Sequence, residues 1–170
     1  RVGALYIPQL AELEVPLVLI NNQHPGEYVY SVTIENPPAA RAVMEHLLSL
    51  GHRRIAYIGD ATGERSDQER RAGYEGALRE AGIASNPGFV VYGDSHPEGG
   101  RAAMRALLAL PLRPTAVFCY NDLTALGAYA ELQERGISVP GEISITGFDD
   151  LFFTPYLQPP LTTVRQPMQE

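Results

Sequence analysis

From residue 54 onward one pattern repeats: a short β-rich run, a helical stretch, then another β-rich run. RIAYIG (54–59), FVVYG (89–93), TAVFCY (115–120) and EISITGF (142–148) are the runs. Between them lie SDQERRAGYEGALREAG (66–82), a stretch from Ser95 to about Leu110, and 122–135. Ser95 with Glu98 forms a capping-box pattern, and Asn121 stands where it would cap the helix over 122–135. Strands alternating with helices of this length build βαβ units. They predict an α/β fold with a parallel sheet, right-handed crossovers and helices on both faces.

Upstream of the repeat the pattern is less regular. GALYI reads as a strand, broken by PQ. VPLVLI (15–20) is a continuous apolar run, as in a strand buried on both faces, and YVYSVTI (28–34) is a second β-rich run. Asn36-Pro37-Pro38 opens a helix with an Asn N-cap and proline in the first turn, and Gly51 ends it. In QPPLTTVRQP (158–167) consecutive prolines bar a regular helix and predict an extended segment. The opening residues carry no initiator Met, and MQE at the end reads as a helix just starting. The sequence therefore reads as a piece of a larger protein.

Composition narrows the classes. A chain of 170 residues is long enough for one domain with a real core. Its net charge of −7 argues against this stretch gripping a nucleic-acid backbone by itself. A single cysteine, Cys119, excludes an internal disulfide framework and a cysteine-based zinc site. No apolar run is long enough to span a membrane, and the first residues do not have the pattern of a signal peptide.

In an open α/β sheet, ligands bind beyond the carboxyl ends of the strands. There this sequence places Asn21 and Asn22; Asp60, Glu64, Arg65, Ser66 and Arg70; Asp94 and Ser95; Asn121 and Asp122; and Asp149 and Asp150. Carboxylates, amides and an arginine fork on one rim suit a small hydroxylated ligand such as a sugar. Plainer roles compete: Asn121 and Ser95 as helix caps, Asp149-Asp150 as turn residues, Arg70 as a solvated charge. Enzyme signatures are absent: no GxGxxG after the first strand, no GxxxxGK[ST], no HExxH, no GxSxG. The four histidines are dispersed, His52 reads as a satisfied structural residue, and Cys119 reads as an inert core residue. No enzyme, metal site or cofactor is expected.

Four blocks carry a resemblance: HLLSLGHRRIAYIGD (46–60), ERRAGYEGALREAGI (69–83), RPTAVFCYNDLTALGAYAELQERGISVPGEISITGFDD (113–150) and PPLTTVRQP (159–167). Together, in this order, they resemble the lac-repressor/galactose-repressor (LacI/GalR) family of bacterial transcription regulators, from about Val15 onward. The resemblance implies a type I periplasmic-binding-protein-like sensor of two lobes with a small-molecule effector in the cleft. By it, 1–33 is the second half of the N-terminal lobe, 34–161 is the C-terminal lobe, and 162–170 crosses back. A helix-turn-helix domain that contacts operator DNA would lie outside this chain. The resemblance also implies a cytoplasmic homodimer with no membrane partner.

Residue by residue, it assigns effector contacts to Arg70, Asn121 and Asp149, to Asn21, and to Gln166 on the crossover. The position often taken by a stacking aromatic is Ser95 here, a departure that weakens it as a contact. Leu126 and Tyr129 on the helix over 122–135, with Phe152, Phe153 and Tyr156 in the loop after Asp150, are the candidate dimer surface. The competing reading is a periplasmic sugar-binding protein of an uptake system, which needs a signal peptide upstream.

Overall fold

A computed structural model describes residues 3–20 and 27–167. The chain divides into two compact units, Arg1–Glu35 and Asn36–Glu170.

In the first unit, α1 (Gly3–Glu12) precedes a parallel pair, β1 (Leu17–Ile20) and β2 (Val29–Val32), with Leu17 opposite Val29. The strand expected at GALYI is thus part of a helix. Residues 4, 7 and 10–11 are apolar, a helical spacing that a five-residue run conceals. Pro8, read as a break, sits inside α1 and removes one main-chain donor. One face of the strand pair, Val18, Ile20, Tyr30 and Val32, is exposed.

The second unit begins with α2 (Asn36–Ser49) and continues β3 (Ile55–Asp60), α3 (Arg65–Glu80), β4 (Val90–Gly93), α4 (Pro97–Leu108), β5 (Ala116–Cys119), α5 (Asp122–Glu134) and β6 (Ser144–Thr146). The four strands form one parallel sheet in the order β4-β3-β5-β6. Every residue of β3 and of β5 is buried, which explains why both are apolar up to Asp60 at the end of β3. Alternation along β3 separates two layers. Ala56 and Ile58, with Val117 and Cys119 of β5, join Met104 and Leu107 of α4 and Ala128 and Leu132 of α5 in one cluster. Tyr57 faces the other way: its ring lies 5.4 Å from those of Tyr74 on α3 and Phe118 on β5. Each such ring contributes about 1.5–3 kcal/mol by leaving water.

The α4–α5 crossing is unusually close. A Cβ on Gly127 would lie 1.8 Å from the Pro97 carbonyl oxygen, and one on Gly100 would lie 2.1 Å from that of Thr124. At the amino-terminal edge of the sheet, His52 links the entries to two strands. Its Nδ1 is 3.0 Å from Thr115 Oγ1 and its Nε2 is 3.1 Å from Ser144 Oγ.

Two helix starts differ from expectation. The N-cap of α4 is His96, not Ser95, and its side chain makes no capping bond. Asp94 accepts from the His96 N–H instead, and Ser95, at φ 66°, stands one residue too early to cap. Asn36 is the first residue of α2, and its side chain is committed to α3 rather than to capping its own helix. Asn121 does cap α5: Oδ1 accepts from Thr124 N at 2.8 Å.

After β6 the chain turns and returns as an extended segment. Gly147 and Asp149 donate main-chain N–H bonds to Thr162 O and Val164 O, both at 2.9 Å. Residues 162–165 thereby run alongside the end of β6, parallel to it. Among the described residues no helix is long and apolar enough to cross a membrane.

Candidate functional site

The direction of chain travel reverses between β3 and β5. From β3 the chain passes through α3 to β4 on one side; from β5 it passes through α5 to β6 on the other. The two connections diverge, leaving a crevice at the carboxyl ends of these adjacent strands, the place where open α/β sheets bind ligands. The first turns of α3 and α5 flank it.

Arg70 comes from α3 and is 4% exposed. Its Nε donates to Asn36 Oδ1 at 2.9 Å and its Nη1 to the Tyr120 carbonyl at 2.6 Å. Its Nη2 lies 3.7 Å from Asp149 Oδ1. The guanidinium carbon stacks 3.6 Å from the centroid of Phe148 and 4.7 Å from that of Tyr120. Asn36 is itself held by donating to Glu69 Oε2 at 2.9 Å. This scaffold fixes a planar cation in one orientation, which an arginine needs in order to present its remaining N–H groups to an oxygen ligand.

Asp149 follows the sheet end at φ 121°, a conformation that costs a non-glycine residue about 1–3 kcal/mol. The main-chain bond to Val164 holds it there. Gln166 donates through Nε2 to its Oδ1. Burial is the largest influence on this carboxyl and pushes its pKa up to about 6, against the pull of Arg70 and the Gln166 bond. Burial likewise lowers the pKa of Arg70, despite Asp149. At 3.7 Å the pair does not compensate the desolvation of either partner. A ligand that donates hydroxyl hydrogens to this carboxylate and brings oxygen acceptors to the guanidinium supplies what the pair lacks.

The structure thus brings together Arg70, Asp149 and Gln166. Asn121 lies beside them at the start of α5, with its amide occupied: besides capping, it donates through Nδ2 to Ser95 O at 3.1 Å. Ser95 enters that link through its main chain only. Asn21 lies outside the described residues. Tyr120 and Asn36 are additional to the sequence reading; Tyr120 had passed as the last residue of a strand, and Asn36 as a cap. Only the pairing across 34 and 50 residues reveals their role. Asp122, fully buried, is structural: it accepts from Thr163 Oγ1 at 2.6 Å and from Leu151 N at 2.8 Å.

Elsewhere in the second unit, Leu126, Tyr129 and Tyr156 line a groove of about 340 Å³ with Leu157 and Gln158. Phe152 and Tyr156 are 86% and 80% exposed, and Phe153 packs edge-on to Phe152 at 5.8 Å. A concavity of about 540 Å³ at the opposite edge of the sheet, between Arg54, Arg113 and Glu142, receives no buried polar side chain. We therefore place the candidate site at the crevice.

Residues 44–170 match the periplasmic binding protein-like domain family. The chain is 41% identical over 152 residues to the HTH-type transcriptional regulator GalR of Escherichia coli (strain K12), covering 89% of this chain and 44% of that protein. It is 40% identical over 155 residues to the HTH-type transcriptional repressor CytR of the same strain, covering 91% and 46%. It superposes with a TM-score of 0.87 on a complex of the transcriptional regulator CelR with cellobiose, at 37% identity, covering 95% of this chain and 50% of that one. The chain spans about half the length of the curated relatives it matches.

Proposed function

Because the chain belongs to the periplasmic-binding-protein-like family, in its LacI branch of regulators, we propose that it is the effector-sensing part of a bacterial DNA-binding transcriptional regulator, acting as a repressor in the cytoplasm. We read 34–161 as one lobe of the sensor, 1–33 as part of the other, and 162–170 as the crossover. Operator DNA is contacted by a helix-turn-helix domain outside this chain, consistent with the names of the relatives and with the net charge of −7.

The observation that carries the reading is the set Arg70, Asp149 and Gln166 at the reversal between β3 and β5. It suits a sugar or sugar-like metabolite: the carboxylate accepts from hydroxyls and the guanidinium donates to ring or hydroxyl oxygens. Binding shifts the population of sensor conformations, and the paired DNA-binding heads follow. The named relatives are regulators rather than enzymes, and the site is one of binding. The exposed Phe152 and Tyr156 beside the Leu126–Tyr129 groove form the homodimer surface.

The test is a titration of the full-length regulator with D-galactose, cellobiose and cytidine, first screened by thermal shift. Arg70→Ala and Asp149→Ala each weaken binding of the responding probe by ~10-fold to ~150-fold, the loss of one or two charge-assisted hydrogen bonds. Folded variants that bind as wild type does would remove the assignment.

A further inference from the structure

This inference rests on the effector reading above: Arg70 must meet a ligand, yet it is 4% exposed. What covers it decides what can reach it. Phe148, fully buried, lies against the guanidinium and cannot leave without opening the core. Asn36, 5% exposed, is fixed between Arg70 and Glu69. Among the described residues the other ring over the guanidinium is that of Tyr120, which is half-buried and stands at the rim.

Among the described residues the phenol of Tyr120 is tied down at one point. Its hydroxyl lies 2.7 Å from Ser66 Oγ. Tyr120 directly follows β5 and Ser66 lies in the first turn of α3, so this contact bridges the two connections that diverge at the crevice. A bond between two uncharged hydroxyls is modest in net strength, and either partner exchanges it readily for the hydroxyl of a ligand. The bond from Arg70 Nη1 to the Tyr120 main-chain carbonyl survives a rotation of the tyrosine side chain, so the arginine stays in place when the ring moves.

We propose that Tyr120 is a specificity-determining gate over Arg70. With its hydroxyl on Ser66, the ring roofs the guanidinium, and the exposed part of the site is Asp149 and Gln166. A ligand gains the arginine by displacing the phenol. To do so it must give Ser66 a hydroxyl in exchange and set an acceptor oxygen over the uncovered guanidinium. Oxygens held side by side on a hydroxylated ring satisfy both demands; an apolar ring, or an anion with no neighbouring hydroxyl, satisfies at most one.

The gate is tested without knowing the effector, by labelling the full-length regulator with phenylglyoxal and following the Arg70 peptide by mass spectrometry, with the more exposed Arg71 as internal reference. Circular dichroism confirms that each variant is folded. Tyr120→Phe and Ser66→Ala each remove the hydroxyl bond and keep the ring. Each should raise Arg70 labelling about fivefold over wild type, and the double variant should rise no further. Tyr120→Ala removes the roof and should label fastest of all. Wild-type Arg70 that labels as fast as Arg71, or a Tyr120→Ala variant that labels as slowly as wild type, overturns the gate. Unchanged labelling in both Tyr120→Phe and Ser66→Ala overturns the latch on which it depends. Failure of the effector reading is seen separately, as Arg70→Ala and Asp149→Ala variants that bind D-galactose or cellobiose as wild type does.

Discussion

Replacing Asp149 by Asn should stabilise the protein while weakening its site. The Asp149 carboxyl titrates near 6 in the folded chain against 3.8 as its ordinary value. Between those values the folded state holds a proton that the unfolded state has released. Stability contributed by this residue therefore falls as pH rises from about 4 to about 6, and the full cost is present at neutral pH. A difference of about 2 units corresponds to about 3 kcal/mol. The side chain is 23% exposed, so little of that is lost to solvent screening. Asn carries no charge, and its oxygen still accepts from Gln166. Asp149→Asn should thus be more stable than wild type by about 2–3 kcal/mol at pH 7.5, with the difference vanishing by about pH 4. Ligand binding moves the opposite way. If the carboxylate accepts from the effector, wild-type affinity falls about tenfold between pH 7.5 and pH 5, where nine in ten of these groups are protonated, and the variant shows no such dependence. Urea unfolding across this range, paired with titration of the probe that responds, reads both effects. A variant destabilised at pH 7.5, or a stability difference that does not change with pH, would refute the claim that burial dominates this carboxyl.

Glu131 presents the reverse sign. Arg105 and Arg135, aided by Arg101, hold its pKa down to about 2, so its contribution is present above about pH 4.5 and lost as pH falls toward 2. Glu131→Gln should cost about 1 kcal/mol in urea unfolding at pH 7, less in 0.5 M salt because the arginines are 41–57% exposed. Gly127→Ala should destabilise by about 3 kcal/mol or more, read as a drop in the thermal midpoint, since its Cβ meets main chain rather than a movable side chain. Phe152→Glu should leave the protein monomeric at micromolar concentration in light scattering, as the proposed homodimer surface requires, with the thermal midpoint of the unassociated chain unchanged, because the ring is exposed.

The second unit is legible in the sequence because buried parallel strands and amphipathic helices have different periods, and each run from RIAYIG onward is long enough to show which period it follows. GALYI is no shorter than FVVYG, but it lies outside that alternation of strand and helix, and it is part of a helix. Helix caps divide on geometry. Asn121 stands one residue before α5 and caps it, whereas Ser95, with the same chemistry, stands two residues before α4 and does not. Arg70 and Asp149 could be placed at the rim because each lies beside a run with a recognisable pattern, whereas Gln166 rests on the family resemblance alone. Tyr120, Ser66 and Asn36 matter through contacts between distant parts of the chain. Nothing local to AVFCYND says that its tyrosine covers an arginine 50 residues earlier.

The glycine crossing of α4 and α5 also governs how a disturbance at the crevice spreads. Packed interiors transmit strain, and side chains between helices yield only by changing rotamer. Where main chain lies directly on main chain, no side chain is left between the helices to change rotamer, so a displacement of one is expected to carry the other with it. Both start at the ligand rim, tied there by the Asn121 bond to Ser95. From there α5 runs 13 residues, about 20 Å, to its cap at Arg135. Along α5 lie Leu126 and Tyr129, so the helix that Asn121 caps at the crevice also lines the groove proposed above as the homodimer surface.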